Sequence, residues 1–265
     1  NKGSAVRFCL WPLMKNNYQY DYANISESVE SLYDTKSREI KANKTILILK
    51  NYLNDVSNLK LLDIGCSTGI MTKEYARHFS EVTGVDIDSK AIGYASKKYK
   101  LDNLIFKETP IEENTFNDQI FDVITCSHIY EHVPSDVNLM NQIFRLLKPG
   151  GVCYFAAGNR FQILEPHYRL PFLSYFPKRT SNIYIRLFTK EKYYYETHRS
   201  LRNLKKLVNK FEIIDYTLEV LKHPTKYSAS ELLKENSIKF YLINSIAKIL
   251  YFLIPTYIWI LKKPE

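Results

Sequence analysis

Asp63, Gly65 and Gly69 stand in the spacing D-x-G-x-x-x-G, and Asp86 and Asp88 follow in the string V-D-I-D. Glycines let a backbone approach a ligand where a Cβ would collide. An acid about 20 residues beyond such a loop closes the ribose side of a nucleotide pocket in a βαβ unit. The dinucleotide fingerprint G-x-G-x-x-G is not met, because the middle glycine that admits a pyrophosphate is missing. Asp63, just ahead of the loop, would repel phosphate and suits a cation. A nucleoside ligand that carries positive charge and no phosphate is the chemistry this stretch fits.

S-adenosylmethionine is such a ligand, with a sulfonium and an ammonium. The stretch resembles motif I and the following acidic motif of the class I S-adenosylmethionine-dependent methyltransferases. Further along, F-D-V-I at 121–124, E-H-V-P at 131–134 and L-K-P-G-G at 147–151 resemble the same family, so the likeness spans about 60 to 158. It is nearest to the branch of ubiquinone-type and related small-molecule methyltransferases. The resemblance implies an enzyme whose cofactor is S-adenosylmethionine, with S-adenosylhomocysteine as product. The implied cofactor set is Asp63, Gly65, Cys66 and Gly69 at the methionine end, Asp86 on the ribose hydroxyls and Ile87 against adenine, with Thr109, Cys126 and Ser127 completing the pocket. Thr109 stands where the family usually places an acid for the adenine amino group, with Glu108 beside it.

Methylation of a hydroxyl needs a base near it. His128, after the FDVITC segment, and His167, in EPHYRLPF beside Glu165, are the two candidate catalytic residues. The string His128-x-x-Glu131-His132 also matches a zinc-protease helix pattern, but it starts where a strand should end, and Pro134 follows. Some ubiquinone-type enzymes are thought to hold a divalent cation at this place, where they carry a further Glu in the position of His128. Glu131 and His132 are read as hydrogen-bonding locally to shape the loop, and no metal is assigned. Ser127-His128-Ile129-Tyr130 replaces the Asn/Asp-Pro-Pro-aromatic motif of nucleic-acid amine methyltransferases, and the Pro-Cys pair of cytosine enzymes is absent. Nucleic acid is therefore not the expected acceptor. RNA or protein methylation, or cofactor binding without catalysis, are the alternatives.

The elements must bring these residues together. Leu61–Ile64 ends a strand, Ile70–Phe79 has helical spacing, Val82–Ile87 is a second strand, and Ser89–Tyr99 is a helix capped by Asp88 or Ser89. Leu104–Phe106 and Phe121–Cys126 follow as strands. Val137–Leu147 is a helix, Lys148–Gly151 a turn and Val152–Ala157 a fifth strand. Phe211–Val220 and Thr256–Leu261 are the last two strands. Alternation of this kind gives a parallel sheet with right-handed crossovers and a ligand at its carboxyl edge. The resemblance sharpens this to one α/β, Rossmann-like, seven-stranded sheet in the order 3-2-1-4-5-7-6, with an antiparallel seventh strand. The expected organisation of 1–265 is a single methyltransferase domain. It has lid helices in 1–57, where Tyr20, Tyr33 and Arg38 could reach substrate, and a cofactor core at 58–158. A proline- and aromatic-rich substrate cap follows at 159–207, and the last two strands lie in 208–265, with a helical insertion at 222–254.

The chain has 265 residues and a net charge of +9, from 37 basic and 28 acidic side chains. That balance permits contact with nucleic acid or an anionic membrane face and establishes neither. Cys9, Cys66, Cys126 and Cys153 lie far apart with no C-x-x-C, which suits thiols kept reduced in a cytoplasmic protein. The apolar patch at 8–14 is short and broken by Pro12, so no secretory signal is expected. Residues 229–254 read as a long helix or two, apolar nearly all round from Ile238, with the sheet core as first partner and a membrane surface as second. The aromatic cap and this basic, apolar insertion point to a small hydrophobic or lipid-linked acceptor, methylated on oxygen or carbon, with peripheral contact at the inner membrane face. The sequence leaves the oligomeric state open.

Overall fold

The computed structural model describes residues 30–111 and 116–265. The expectations placed on Cys9, Tyr20 and the 8–14 patch lie outside the described residues. Seven strands form one sheet: β1 (Lys60–Ile64), β2 (Glu81–Asp86), β3 (Leu104–Glu108), β4 (Phe121–Ser127), β5 (Leu147–Gly158), β6 (Glu212–Asp215) and β7 (Thr256–Lys262). Their order is 3-2-1-4-5-7-6, as the resemblance implies. The first five are parallel, and β7 runs antiparallel to both β5 and β6.

Both faces of the sheet are covered, so successive residues along one strand serve different cores. Leu62 and Ile64 of β1 join one cluster, with Leu139 and Ile143 of α4 (Asp136–Leu146) and Leu204 of α6 (Leu201–Leu207). Leu61 joins the other, with Ile46 and Leu49 of α1 (Thr35–Leu53) and Tyr75 of α2 (Ile70–Ala76). Each such side chain contributes about 1.5–3 kcal/mol by leaving water. Capping fixes where the helices start. Asp34 accepts from Ser37 N at α1, Asp88 from Lys90 N and Ala91 N at α3 (Ser89–Lys98), and Ser135 from Asn138 N at α4.

Three boundaries differ from the sequence reading. Lys148–Gly151 bulges within β5 and does not precede it, since Phe121 pairs with Leu147 while Val123 pairs with Val152. The strand expected over 211–220 stops at Asp215. There the Asp215 side chain accepts from Thr217 N, and Thr217 Oγ1 accepts from Ile258 N, turning the chain into α7 (Thr217–Lys222). Residues 229–254 hold only one α-helix, α8 (Ile238–Ala247), capped by Ser237. The core reading of that helix fails: Ala247 is its one buried residue, while Ile238 is 88% exposed and Leu242 61%. A helix apolar nearly all round, with Lys239, Asn244 and Ser245 as its polar positions, finds too little of the sheet to cover it.

Residues 159–207 leave the carboxyl end of β5. They hold a short hairpin (Leu164–Glu165 with Leu170–Pro171), α5 (Lys178–Phe188) and, after an extended return through 196–199, α6. The return is tied to the loop after β4, where Thr197 N donates to Glu131 O and Arg199 N to Tyr130 Oη, both at 2.9 Å. Arg199 and Asp136 form a two-pronged ion pair. No helix among the described residues is long and apolar enough to cross a membrane.

Candidate functional site

The glycine loop begins where β1 ends. Gly65 N and Cys66 N both donate to Val85 O of β2, and the backbone is left-handed at Gly65, Ser67 and Gly69. At Gly69 a Cβ would lie 2.6 Å from the Phe106 ring and 2.8 Å from Ala95 Cβ, so helix and strand meet there too closely for any side chain. Ser67 is held in its strained conformation by donating its N–H to Asp86 Oδ2 at 2.7 Å. The other oxygen of Asp86 accepts from Asp88 N. A carboxylate has about four acceptor sites, so Asp86 keeps capacity for hydroxyl donors while its orientation is fixed. Burial raises its pKa. Thr109 N donates to Asp86 O, which seats the end of β3 beside β2.

Asp63 lies beneath this loop. Thr72 Oγ1 donates to one of its oxygens at 2.7 Å and Thr125 Oγ1 to the other at 2.6 Å. Burial nevertheless raises its pKa to about 6. Arg38 comes in from α1. Its pKa is lowered by burial, against the pull of Asp63, Asp34 and Asp86, and its Nε is buried without a hydrogen-bond partner. Thr68 Oγ1 donates to Leu32 O at 2.7 Å, so the segment ahead of α1 lies across the glycine loop. Tyr33 meets Tyr94 edge to face, at 5.1 Å between centroids.

A second group of polar side chains lies after β4. His128 has a left-handed backbone, with φ of 57°, and its N–H donates to Ala156 O. Its half-exposed ring puts Nδ1 3.2 Å from Oε1 of the fully buried Glu131. Burial opposes ionisation of Glu131, but the hydrogen bond and charge of His128, with His132 and His198, hold its pKa down at about 2. Residues 128–134 form turns rather than a helix, so the zinc-protease reading has no geometry behind it. The cap supplies the rest. His167 packs edge to face on His132, at 5.0 Å between centroids, and its Nδ1 is 2.7 Å from Glu165 Oε1. Burial works against protonation of His167, yet Glu165, helped by Glu196, raises its pKa to about 9. The Lys178 ammonium donates to the carbonyls of Tyr194, Tyr195 and Glu196, and burial lowers its pKa to about 8.

The sheet thus brings Asp63, Gly65, Cys66, Gly69, Asp86, Ile87, Thr109, Cys126 and Ser127 to one carboxyl edge, at the ends of β1 to β4. Cys66 and Cys126 are buried, which pushes both thiols well above their ordinary pKa. His128 joins this edge through β4, whereas His167 belongs to the cap's Glu165 cluster. Sequence reasoning missed Thr72 and Thr125, which satisfy Asp63, and Glu196 and His198 of the cap. Thr125 stands 62 positions from Asp63 and His198 33 from Glu165, separations that carry no spacing signal.

Residues 62–155 match the family model described as "Methyltransferase domain". A ubiquinone biosynthesis O-methyltransferase from Psychrobacter cryohalolentis is 37% identical over 107 residues, 38% of this chain and 41% of that protein. The Alkalilimnicola ehrlichii protein of the same name is 33% identical over 138 residues, 48% of this chain and 54% of its own length. The chain therefore matches about half, or less, of the length of these curated relatives. A putative S-adenosylmethionine-dependent methyltransferase from Listeria monocytogenes superposes with a TM-score of 0.56 at 17% identity, covering 86% of this chain and all of that one, and shares the fold. Residues 62–155 thus match a methyltransferase domain, and the sheet order with the D-x-G-x-x-x-G loop agrees with the fold of the class I S-adenosylmethionine-dependent methyltransferases.

Proposed function

We propose that the protein transfers a methyl group from S-adenosylmethionine to oxygen or carbon of a small hydrophobic or lipid-linked acceptor. The donor set fits that cofactor. Asp63 and Asp86 offer carboxylates to cationic and hydroxyl groups, and the Arg38 Nε is a buried donor that a ligand carboxylate would satisfy. The bound cofactor supplies an electrophilic methyl on a sulfonium. Asp63, Gly65 and Gly69 hold the methionine end, Asp86 the ribose, and Ile87 and Thr109 the adenine side. The loop before α1 and the cap exclude water, and positioning does most of the work.

Of the two candidate bases, His128 is favoured. Glu131 orients it through Nδ1, leaving Nε2 to take the acceptor's proton. His167 is paired to Glu165 and holds a proton at pH 7, which unsuits it as a base.

The acceptor class rests on one observation. Two unpartnered apolar surfaces leave the same end of β5 and β7, where Gly158 pairs with Thr256. One is α5, with Ile183, Leu187 and Phe188 exposed; the other is α8 and its continuation, with Ile238, Leu242, Ile249 and Phe252 exposed. Arg179, Arg186, Lys239 and Lys248 lie among them. Basic apolar patches of this kind suit an anionic lipid surface and an acceptor delivered from it. The curated relatives' names, which concern O-methylation in ubiquinone biosynthesis, support a hydrophobic ring acceptor.

Incubation with labelled S-adenosylmethionine and a fractionated cell extract tests the reading. Label should enter the lipid fraction, and Asp86→Ala should abolish it while weakening cofactor binding by roughly tenfold or more. Label confined to polar metabolites, protein or RNA would reject the acceptor class, and an unchanged cofactor affinity would reject the ribose role of Asp86.

A further inference from the structure

We infer that Glu165, His167 and His198 form a binding site for one divalent transition-metal ion, which ties the cap hairpin to the cap's return segment beside the carboxyl edge of β5. Glu165 lies in the cap hairpin, His167 in its turn, and His198 on the return just before α6. Glu165 Oε1 is 2.7 Å from His167 Nδ1 and 3.4 Å from His198 Nε2, and one ligand atom from each of the three lies within 4.8 Å of the others. The two imidazoles lie at 29° to one another, and each directs a nitrogen at Oε1 of Glu165. The second oxygen, Oε2, accepts from His167 N at 2.8 Å and Tyr168 N at 2.9 Å. Those bonds fix the carboxylate in the way that outer hydrogen bonds orient metal ligands.

Hydrogen bonding alone leaves this group poorly satisfied. The His198 side chain is only 2% exposed, its one contact from Nε2 is the long 3.4 Å approach to Glu165, and its Nδ1 is buried without a partner. Two imidazole nitrogens and one carboxylate oxygen are a usual donor set for zinc and its neighbours, with a fourth position left open. Bonds of about 2.1 Å in a tetrahedron separate ligand atoms by roughly 3.4 Å, which is the spacing His198 already has from Glu165. Ligation would replace the proton between His167 and Glu165 and open that pair by a few tenths of an ångström. The Glu165 side chain is fully buried while that of His167 is 37% exposed, which gives an ion one side of entry. The site abuts β5: a Cβ on Gly158 would lie 2.9 Å from the His198 ring and 3.4 Å from Glu131 Oε1. A bound ion would therefore brace the cap hairpin against the return segment, which Thr197 N already ties to Glu131 O.

The test needs no substrate. Chelator-treated protein is titrated with Zn²⁺ in a calorimeter and with Co²⁺ by visible absorption, and thermal unfolding is followed with and without Zn²⁺. One ion per chain should bind at micromolar or tighter affinity, with a Co²⁺ spectrum of low-coordinate N/O ligation and a rise in the unfolding midpoint. Glu165→Gln and His198→Gln should each weaken binding by at least about tenfold, with metal-free circular dichroism unchanged, and should remove the thermal rise. His132→Asn should bind as the unaltered chain does. Absence of stoichiometric binding by the unaltered chain overturns the site even if the variants fold poorly. Retention of binding in the Glu165→Gln/His198→Gln double variant also overturns it. Loss on His132→Asn alone would move the ion to the neighbouring group of His132, His167 and Glu196 and overturn this assignment.

Discussion

The Asp63 carboxyl carries a threonine hydroxyl on each oxygen, and burial still raises its pKa from the ordinary 3.8 to about 6. The sign of the consequence follows from linkage. Between those values the folded chain binds a proton that the unfolded chain has lost, so stability falls as pH rises through the window. The full penalty, about 3 kcal/mol at about 1.4 kcal/mol per unit, applies above it. A cationic ligand would recover part of this by favouring the ionised form. Asp63→Asn should therefore raise the denaturant midpoint at pH 7.5, with the gain shrinking toward pH 4, and should weaken S-adenosylmethionine binding. Parallel stability curves for the two proteins would show that Asp63 titrates normally. His128 poses a different question, since its neighbour Glu131 is buried and held ionised. His128→Asn should lower kcat on an acceptor hydroxyl by a factor of about 10² to 10⁴ while leaving the cofactor Kd unchanged. An equal loss in cofactor affinity would make it a structural residue of the loop.

At the scale of elements, the parts legible from sequence were those where local pattern and tertiary role agree. The runs Leu61–Ile64, Val82–Val85 and Val123–Cys126 are buried on both faces and read as continuous apolar strands, and the glycine loop betrays itself by residue type. Thr109 buried beside Asp86 was equally readable once β3 was placed. What escaped was set by distant partners. The helix at 217–222 forms because Thr217 is engaged by Ile258 of β7, more than 40 positions away, whereas the sequence alone continues the strand through Leu218 and Val220. The apolar composition of α8 points to core, yet composition says how much surface wants cover and not what supplies it. The exposure of α8 makes a testable statement. Leu242→Glu with Ile249→Glu should abolish association with anionic vesicles in a flotation assay at low salt. Both sites face solvent, so the change in folding stability should stay within about 0.5 kcal/mol per site. If the unaltered protein fails to float, the membrane reading of α8 goes; if the double variant floats equally well, the contact lies elsewhere, with α5 the next surface to alter.

Across the whole molecule, the net charge of +9 must be assigned to a partner or to solvation. Many of the cations are already committed. Lys60 pairs with Glu81, Lys73 with Glu39 and Glu74, Arg145 with Asp118, Lys148 with Asp122, and Arg199 with Asp136. Others sit over aromatic rings, as Lys98 does on Tyr94 and Lys210 on Phe144. The two apolar surfaces at the end of β5 and β7 instead combine exposed hydrophobic area with Arg179, Arg186, Lys239 and Lys248. Nucleic acid and an anionic bilayer would answer this arrangement differently. Binding to RNA through phosphates alone releases counterions, and its affinity falls steeply with salt, log K against log salt having a slope of about −0.7 per phosphate neutralised on a single strand. Insertion of Leu242, Ile249 or Leu187 into the interface of a bilayer adds an apolar contribution that salt does not screen. Generic RNA should therefore bind only weakly at low salt and be lost at physiological salt, while vesicles rich in anionic lipid should keep a measurable fraction bound. Parallel titrations of the same preparation, from low to physiological salt, read both arms. A micromolar or tighter complex with a defined RNA that survives physiological salt would overturn the assignment and make nucleic acid the acceptor to pursue.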